Sequence, residues 1–271
     1  MRLFIFIFSA SLVFTACSST TEKGEIGVER HQLVQLVSSE DVAKSAAQSY
    51  EQVINEAKSK GQLDKNPAQL QRVRNIADKL IPQTAVFRKD APAWKWEVHV
   101  ITSDEINAWC MPGGKIAFYT AIIEKLNLTD AEIAAVMGHE ISHALREHGR
   151  ERMSQELIKQ GVLALGGAYL ESQNVKNGQY YVAGASILSS FFTLKYSRIQ
   201  ETEADDMGLE LMARAGYNPA EAINLWKKMA SQGGGKPPEI LSTHPADETR
   251  IANLQGYLPK VTPLYEKTLR H

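Results

Sequence analysis

The chain has 271 residues, with 30 Lys and Arg against 31 Asp and Glu and a formal net charge of −1. Charge this close to balance excludes the strongly basic profile of a nucleic-acid binder, and two cysteines, Cys17 and Cys110, exclude a disulfide-built scaffold. The length is ample for a buried core, in one large domain or two small ones.

Met1 and Arg2 precede an apolar run from Leu3 to Ala16. That run falls short of the ~20 residues that span a bilayer and has the form of a signal-peptide core. It ends in Phe14-Thr15-Ala16-Cys17-Ser18-Ser19, which resembles a bacterial lipobox cleaved before a lipid-carrying Cys17, with Phe14 in place of the usual Leu or Val. An ordinary secretory signal or an uncleaved anchor is the alternative. By resemblance to lipoprotein sorting, Ser18 rather than Asp after the cysteine implies an outer-membrane lipoprotein facing the periplasm of a Gram-negative bacterium. Removing residues 1–16 leaves 255 residues with 29 basic and 31 acidic side chains, because Arg2 is the only charge lost. With Cys17 lipidated, Cys110 has no disulfide partner. Residues 17–37 then read as the lipidated N-terminus and tether, 38–258 as one domain and 259–271 as a C-terminal tail.

Ser39, Glu40 and Asp41 open a helix that runs to about Lys60, with Gly61 as its stop. Asn66-Pro67 starts another, through about Leu80, with Asn as cap and Pro in the first turn. From Trp94 to Ile101 apolar and polar residues alternate, as in a half-buried strand, and His99 falls on the polar face as a surface histidine. Two short strands, 107–111 and 115–119, follow around the turn Pro112-Gly113-Gly114, then a short helix, 121–126.

The capping-box pair Thr129 and Glu132 begins a helix of about 130–148, with Ile133, Val136, Met137, Ile141, Ala144 and Leu145 at helical spacing and Gly149 as its stop. It carries His139-Glu140-Ile141-Ser142-His143, the H-E-x-x-H arrangement of zinc peptidases. One helical turn separates the two imidazoles, so both can point at one ion. Glu140, one step round, is placed to deprotonate water beside the metal rather than to bind it. A third histidine at metzincin spacing is absent: Arg146 stands where Gly would be, and Gly149 where His would be. The third ligand is therefore sought elsewhere. Glu201 and Asp205, four apart, share a helix face: Glu201 can close the coordination sphere of one Zn2+, and Asp205 can accept the other ring N–H of a ligand histidine. Glu203 reads as a solvated charge, Ala204 and Gly208 as residues that permit a close approach to the His helix, and His148 as a cap of its own helix.

Between these helices, apolar runs from Leu157 to Leu170 and from Tyr180 to Leu194 are interrupted by glycines and read as a helical hairpin over the site, with a membrane-contacting face as the alternative. After Gly216, Asn218-Pro219 starts a helix to about Ala230. A loop at 233–238 follows, and His244-Pro245 heads a last helix to about Leu254 that carries Arg250.

H-E-I-S-H followed by E-x-x-A-D, with Asn107 to Gly114 ahead and His244-Pro245 and Arg250 behind, resembles the gluzincin metallopeptidase family that contains HtpX, BepA, LoiP and the type I CAAX prenyl endopeptidase. The similarity spans roughly residues 95–255. It implies an α+β fold, a mainly helical gluzincin domain with a small antiparallel sheet beside the H-E-x-x-H helix. His139, His143 and Glu201 are implied as ligands of one Zn2+ per chain, and Glu140 as catalytic base. His244, placed like the family's His-Pro element, could act as oxyanion donor or as a zinc ligand in a resting state, with a plain helix cap as the alternative, and Arg250 could pair with an active-site carboxylate. Independently of the resemblance, the edge strand 107–111, with Asn107 and Ala108, offers backbone groups to an extended substrate, and a plain structural hairpin is the alternative. The expected partners are misfolded outer-membrane polypeptides and the membrane through lipid on Cys17, with no nucleic acid. The activity expected is that of a zinc metalloendopeptidase in envelope protein quality control. A chaperone-like envelope binding protein with little turnover is the alternative.

Overall fold

The computed structural model describes residues 19–32, 36–157, 159, 196–231, 239–244 and 248–270. Cys17 with the signal segment, the apolar runs apart from residues 157 and 159, the loop at 233–238 and Pro245 lie outside the described residues. Two long helices come first. α1 (Ser39–Ser59) is capped by Ser38, and α2 (Pro67–Leu80) by the Asn66 side chain, which accepts from the N–H groups of Ala68 and Gln69. Short 3-10 turns lead to β1 (Glu97–Ile101), β2 (Ala108–Met111) and β3 (Lys115–Tyr119), followed by α3 (Thr120–Lys125), α4 (Asp130–Leu145) and α5 (residues 148–157). Then come α6 (Arg198–Arg214), α7 (Glu221–Ser231), α8 (Glu239–Thr243) and α9 (Glu248–Thr268). No described helix is long and apolar enough to cross a membrane.

The α+β class stands, with one pairing different from expectation. β2 and β3 form the expected antiparallel hairpin, but β1 joins β3 in parallel, giving the order β1-β3-β2. Composition explains the insertion: Ile116, Ala117 and Phe118 of β3 are fully buried, and a strand apolar on both faces takes the centre of a sheet. β2 is left at the margin, alongside α4.

α4 starts at the capping box, where Thr129 Oγ1 accepts from the Glu132 N–H and Glu132 Oε2 accepts from the Thr129 N–H. Its stop is not Gly149. Glu147 takes a left-handed φ of 52°, the helix ends at Leu145, and Gly149 lies inside α5. The unusual conformation is pinned through the Glu147 carboxylate by Ser39, Arg88 and Arg150. α6 opens with a second capping box, Ser197 and Gln200, and crosses α4 in backbone contact at Gly138 and Gly208. A Cβ on Gly208 would lie 2.7 Å from the His139 nitrogen, and one on Gly138 2.9 Å from the Gly208 carbonyl oxygen.

Two further differences concern the ends. Residues 19–32 are not a free tether. Ile26 and Val28 enter the main core, the Glu25 and Ile26 N–H groups donate to Glu210, and Gln32 and Thr20 donate to the carbonyl of Arg146. The last helix does not end near Leu254 but continues to Thr268 through Pro259 and Pro263, because Leu254 and Val261 are both buried against the core.

Under α9, Asp206 is buried with Oδ1 unpartnered among the described residues, and burial, aided by Asp205 and Glu203, pushes its pKa up to about 8. A carboxyl raised this far binds more protons folded than unfolded between its ordinary 3.8 and about 8, so stability falls as pH climbs through that window. Asp206→Asn is expected to remove this loss: its urea midpoint, measured against wild type from pH 5 to 8.5, should rise progressively. Parallel curves would contradict the assignment.

Candidate metal centre

The four ligand-type side chains come from three elements. His139 and His143 lie one turn apart on α4, Glu201 is in the first turn of α6, and His244 follows α8. One donor atom from each lies within 4.8 Å of the others, and all four residues are buried. His139 Nε2 and His143 Nε2 are 3.0 Å apart. Glu201 Oε1 stands 3.4 Å from His143 Nε2, and Oε2 stands 3.6 Å from His139 Nε2. His244 Nδ1 is 2.9 Å from Glu201 Oε1 and 3.2 Å from His139 Nε2.

Asp205, one turn beyond Glu201, meets His139 from behind: its Oδ1 is 2.9 Å from Nδ1. Arg250 fixes that carboxylate with bonds of 2.6 and 2.7 Å, reaches Glu201 Oε2 at 2.7 Å, and stacks on Trp226 at 3.7 Å. The expected pairing of Arg250 therefore involves two carboxylates. Because the Asp205 oxygen accepts, His139 Nδ1 carries the proton and its Nε2 presents a lone pair to the cluster. Glu140 faces the same space; its buried Oε1 has no hydrogen-bond partner among the described residues and lies 3.6 Å from His244 Nε2.

Burial opposes charge on Glu140, Glu201, Asp205, His139 and His143, and partners outweigh it at three of them. Burial pushes Glu201 up, but His244, His143 and His139 outweigh it and hold the carboxylate well below the usual range. Burial likewise pushes Asp205 up, and Arg250 and His139 bring it down. Burial lowers His139, yet Asp205 and Glu201 raise it overall, whereas burial takes His143 well below the ordinary histidine value. Glu140 is raised, chiefly by burial.

The residues fit a single zinc ion. Imidazole nitrogens and a carboxylate are the donor set of catalytic zinc sites. The carboxylates of Glu140, Glu201 and Asp205 face one guanidinium, Arg250, leaving an excess of two negative charges that a divalent cation offsets. The unpartnered Glu140 oxygen lies beside the cluster, outside the group of donor atoms.

The site lies in a cleft of about 450 Å3 lined by Asn107 to Pro112, Glu140, His143, Tyr196 and His244. The Tyr119 N–H donates to the Asn107 carbonyl, which sets the pairing phase: Asn107, Trp109 and Met111 turn their amides to β3, and Ala108 and Cys110 turn theirs outward. The outward Ala108 N–H is engaged by the Asn107 side chain.

Several positions depart from the sequence pattern. Glu203 is no solvated charge: it is buried and bonded to Arg30, Arg146 and His148, which outweigh burial and bring its pKa down to about 2. His148 does not cap a helix end in solvent but is fully buried, 2.8 Å from His143. Tyr196, with its ring 3.8 Å from that of His143, carries no sequence signal beyond preceding the Ser197 cap. His99 stays outside the site and pairs with Asp64.

A model of peptidase family M48 matches residues 67–258 of the chain. The mitochondrial metalloendopeptidase OMA1 of Saccharomyces cerevisiae is 36% identical over 187 residues, 64% of this chain and 50% of the yeast protein. OMA1 of Arabidopsis thaliana is 35% identical over 155 residues, 57% of this chain and 30% of the plant protein. The beta-barrel assembly-enhancing protease of Escherichia coli is 28% identical over 170 residues, 61% of this chain and 35% of that protein. The chain thus spans half or less of the length of these relatives.

Asp205→Asn keeps the size of the side chain but removes the charge that orients His139. Zinc affinity, measured by chelator competition, is expected to fall about 10- to 100-fold; unaltered affinity would exclude that role.

Proposed function

The chain belongs to peptidase family M48, and on that premise we propose that it is a zinc-dependent endopeptidase that hydrolyses peptide bonds of unfolded or misfolded envelope proteins. The observation that carries the reading is the convergence of His139, His143 and Glu201 with an unpartnered Glu140 oxygen in a cleft rimmed by an edge strand. In this reading His139, His143 and Glu201 hold the metal. A bound zinc ion supplies Lewis-acid polarisation of the scissile carbonyl and acidifies water. Glu140 takes the proton from the attacking water at its free oxygen and passes it to the departing amine nitrogen. Burial suits it to that exchange, since a raised carboxyl pKa lies nearer the working pH. His244 supplies a further donor to the cluster when no substrate is present, a role supported by Nδ1 lying among the ligand atoms.

The position of β2 at the margin of the sheet, lining the cleft, supports docking of the substrate as an added strand, which would displace the Asn107 side chain from the Ala108 N–H. A second pocket opens beside Glu140 and His244, with Val136, Leu209, Met212, Leu225 and Trp226 among its lining residues. At about 20 Å3 it is a small apolar recess of the core beside the site and leaves the 450 Å3 cleft as the space for a substrate. The lipobox-like segment at Cys17 supports attachment to the outer membrane on its periplasmic side, and the name of the Escherichia coli relative, which concerns β-barrel assembly, agrees with an envelope setting. The OMA1 relatives carry mitochondrial names, so the bacterial placement rests on that N-terminal segment.

Glu140→Gln is expected to keep zinc and to lose about 100-fold or more of casein-cleaving activity. Retained turnover would refute the base assignment, and an unfolded-protein binder without chelator-sensitive cleavage in the wild type would favour the chaperone-like reading. Ala108→Pro tests the docking strand. Proline is tolerated where an edge N–H faces outward, but its ring obstructs a further strand. Zinc content should be unchanged and cleavage of unfolded casein sharply reduced; undiminished cleavage would remove β2 from the account.

A further inference from the structure

His139 has an evident orienting partner in Asp205, but among the described residues no carboxylate lies against Nδ1 of His143. What lies there is a second imidazole, His148, whose Nδ1 is 2.8 Å from His143 Nδ1 with the rings inclined at 69°. The pair exists because the chain breaks helix. On a continuous helix, residues five apart point about 140° away from each other; the left-handed Glu147 instead turns His148 back beneath His143. A non-glycine residue in that region is strained, and such strain is retained where the surroundings enforce it.

The polarity of the contact follows from its far end. Glu203 Oε2 lies 2.9 Å from His148 Nε2 and also accepts from Arg30 Nη2, while Oε1 accepts from Arg30 Nε and Arg146 Nη2. A carboxylate bonded to two guanidinium groups is an acceptor only. His148 Nε2 must then be the N–H. A neutral His148 presents a lone pair at Nδ1, which accepts the Nδ1–H of His143. This leaves His143 Nε2 bare and aimed at the Glu201 cluster, in the tautomer that a metal requires. A cationic His148 would reverse the arrangement, but it would sit fully buried beneath a neutral imidazole, with Glu203 already engaged by two arginines.

We infer that His148 and Glu203 are positioning residues of the metal centre: a Glu203–His148–His143 relay, anchored by Arg146 and by Arg30 of the N-terminal segment, fixes His143 in its ligating tautomer. The inference rests on the metalloenzyme reading above and deepens it, since that reading needs only that His143 be a ligand. It makes the two ligand histidines unequal, one oriented directly by a carboxylate and the other through an intervening imidazole.

The test uses the full chain, with Co2+ and Zn2+ as probes. His148→Leu is expected to weaken both ions about 10- to 100-fold in chelator competition and to alter the visible absorption of the Co2+ form, while His148→Gln, which keeps an acceptor and a donor, recovers most of the affinity. Undiminished affinity in a folded His148→Leu protein, or equal losses in the two variants, would overturn the relay. A second measurement needs no substitution. Long-range 1H–15N correlations of the metal-free and zinc-loaded wild type should show His143 as the Nδ1–H tautomer and His148 as the Nε2–H tautomer; the opposite tautomers, or a doubly protonated His148, would overturn it. Absence of stoichiometric zinc in the wild type would strike the metalloenzyme reading itself, and the tautomers of the metal-free protein would still decide the relay.

Discussion

The structure depends on two helices approaching closely enough for their backbones to touch. At Gly138 and Gly208 any side chain would collide with the main chain of the facing helix, so the crossing of α4 and α6 is fixed by the absence of two Cβ atoms. That approach brings Glu201 to within 3.4 Å of His143 and Asp205 to within 2.9 Å of His139. Ligand-type side chains separated by more than fifty residues can converge only because nothing keeps their helices apart. Buried Ile133, Met137, Met207 and Leu211 extend the same contact and hold it by removing apolar surface from water.

The crossing concentrates charge where charge is expensive. Taking an ion out of water costs several kcal/mol unless partners replace the lost hydration, and α6 alone buries Glu201, Glu203, Asp205, Asp206 and Glu210. Glu203 is matched by Arg30 and Arg146, Asp205 by Arg250, and Glu210 by Arg214 and two backbone N–H groups. Glu140 Oε1 and Asp206 Oδ1 are left without hydrogen-bond partners among the described residues. They resolve the cost differently. Asp206 lies away from the cleft with its pKa up to about 8, so below that pH it holds its proton. Glu140 opens onto the cleft, and burial raises its pKa.

Local signals in the sequence were strong wherever one element carried them. The Thr129 cap, the Asn66-Pro67 start, the hairpin around Pro112-Gly113-Gly114 and the one-turn spacing of His139 and His143 all follow from neighbours along the chain, and the structure has them in those places. Helical geometry also separated Glu203 correctly from the face of Glu201 and Asp205. It could not show that the opposite face is also buried, because Arg30, Arg146 and His148 come from other elements. The insertion of β3 between β1 and β2, the packing of residues 19–32 and the helix break at Glu147 share that character: each is decided by partners distant in sequence. His148 left a faint trace, a histidine five residues after His143, which has meaning only once the break at Glu147 is known.

Whether His139, His143 and Glu201 hold zinc together can be read from zinc K-edge X-ray absorption of the purified wild-type chain. One zinc per chain is expected, with scattering from at least two imidazoles and one carboxylate oxygen at about 2.0–2.2 Å, and with the imidazole contribution reduced when His139 or His143 is replaced. Substoichiometric zinc, or a coordination shell that does not change when either histidine is replaced, would contradict it.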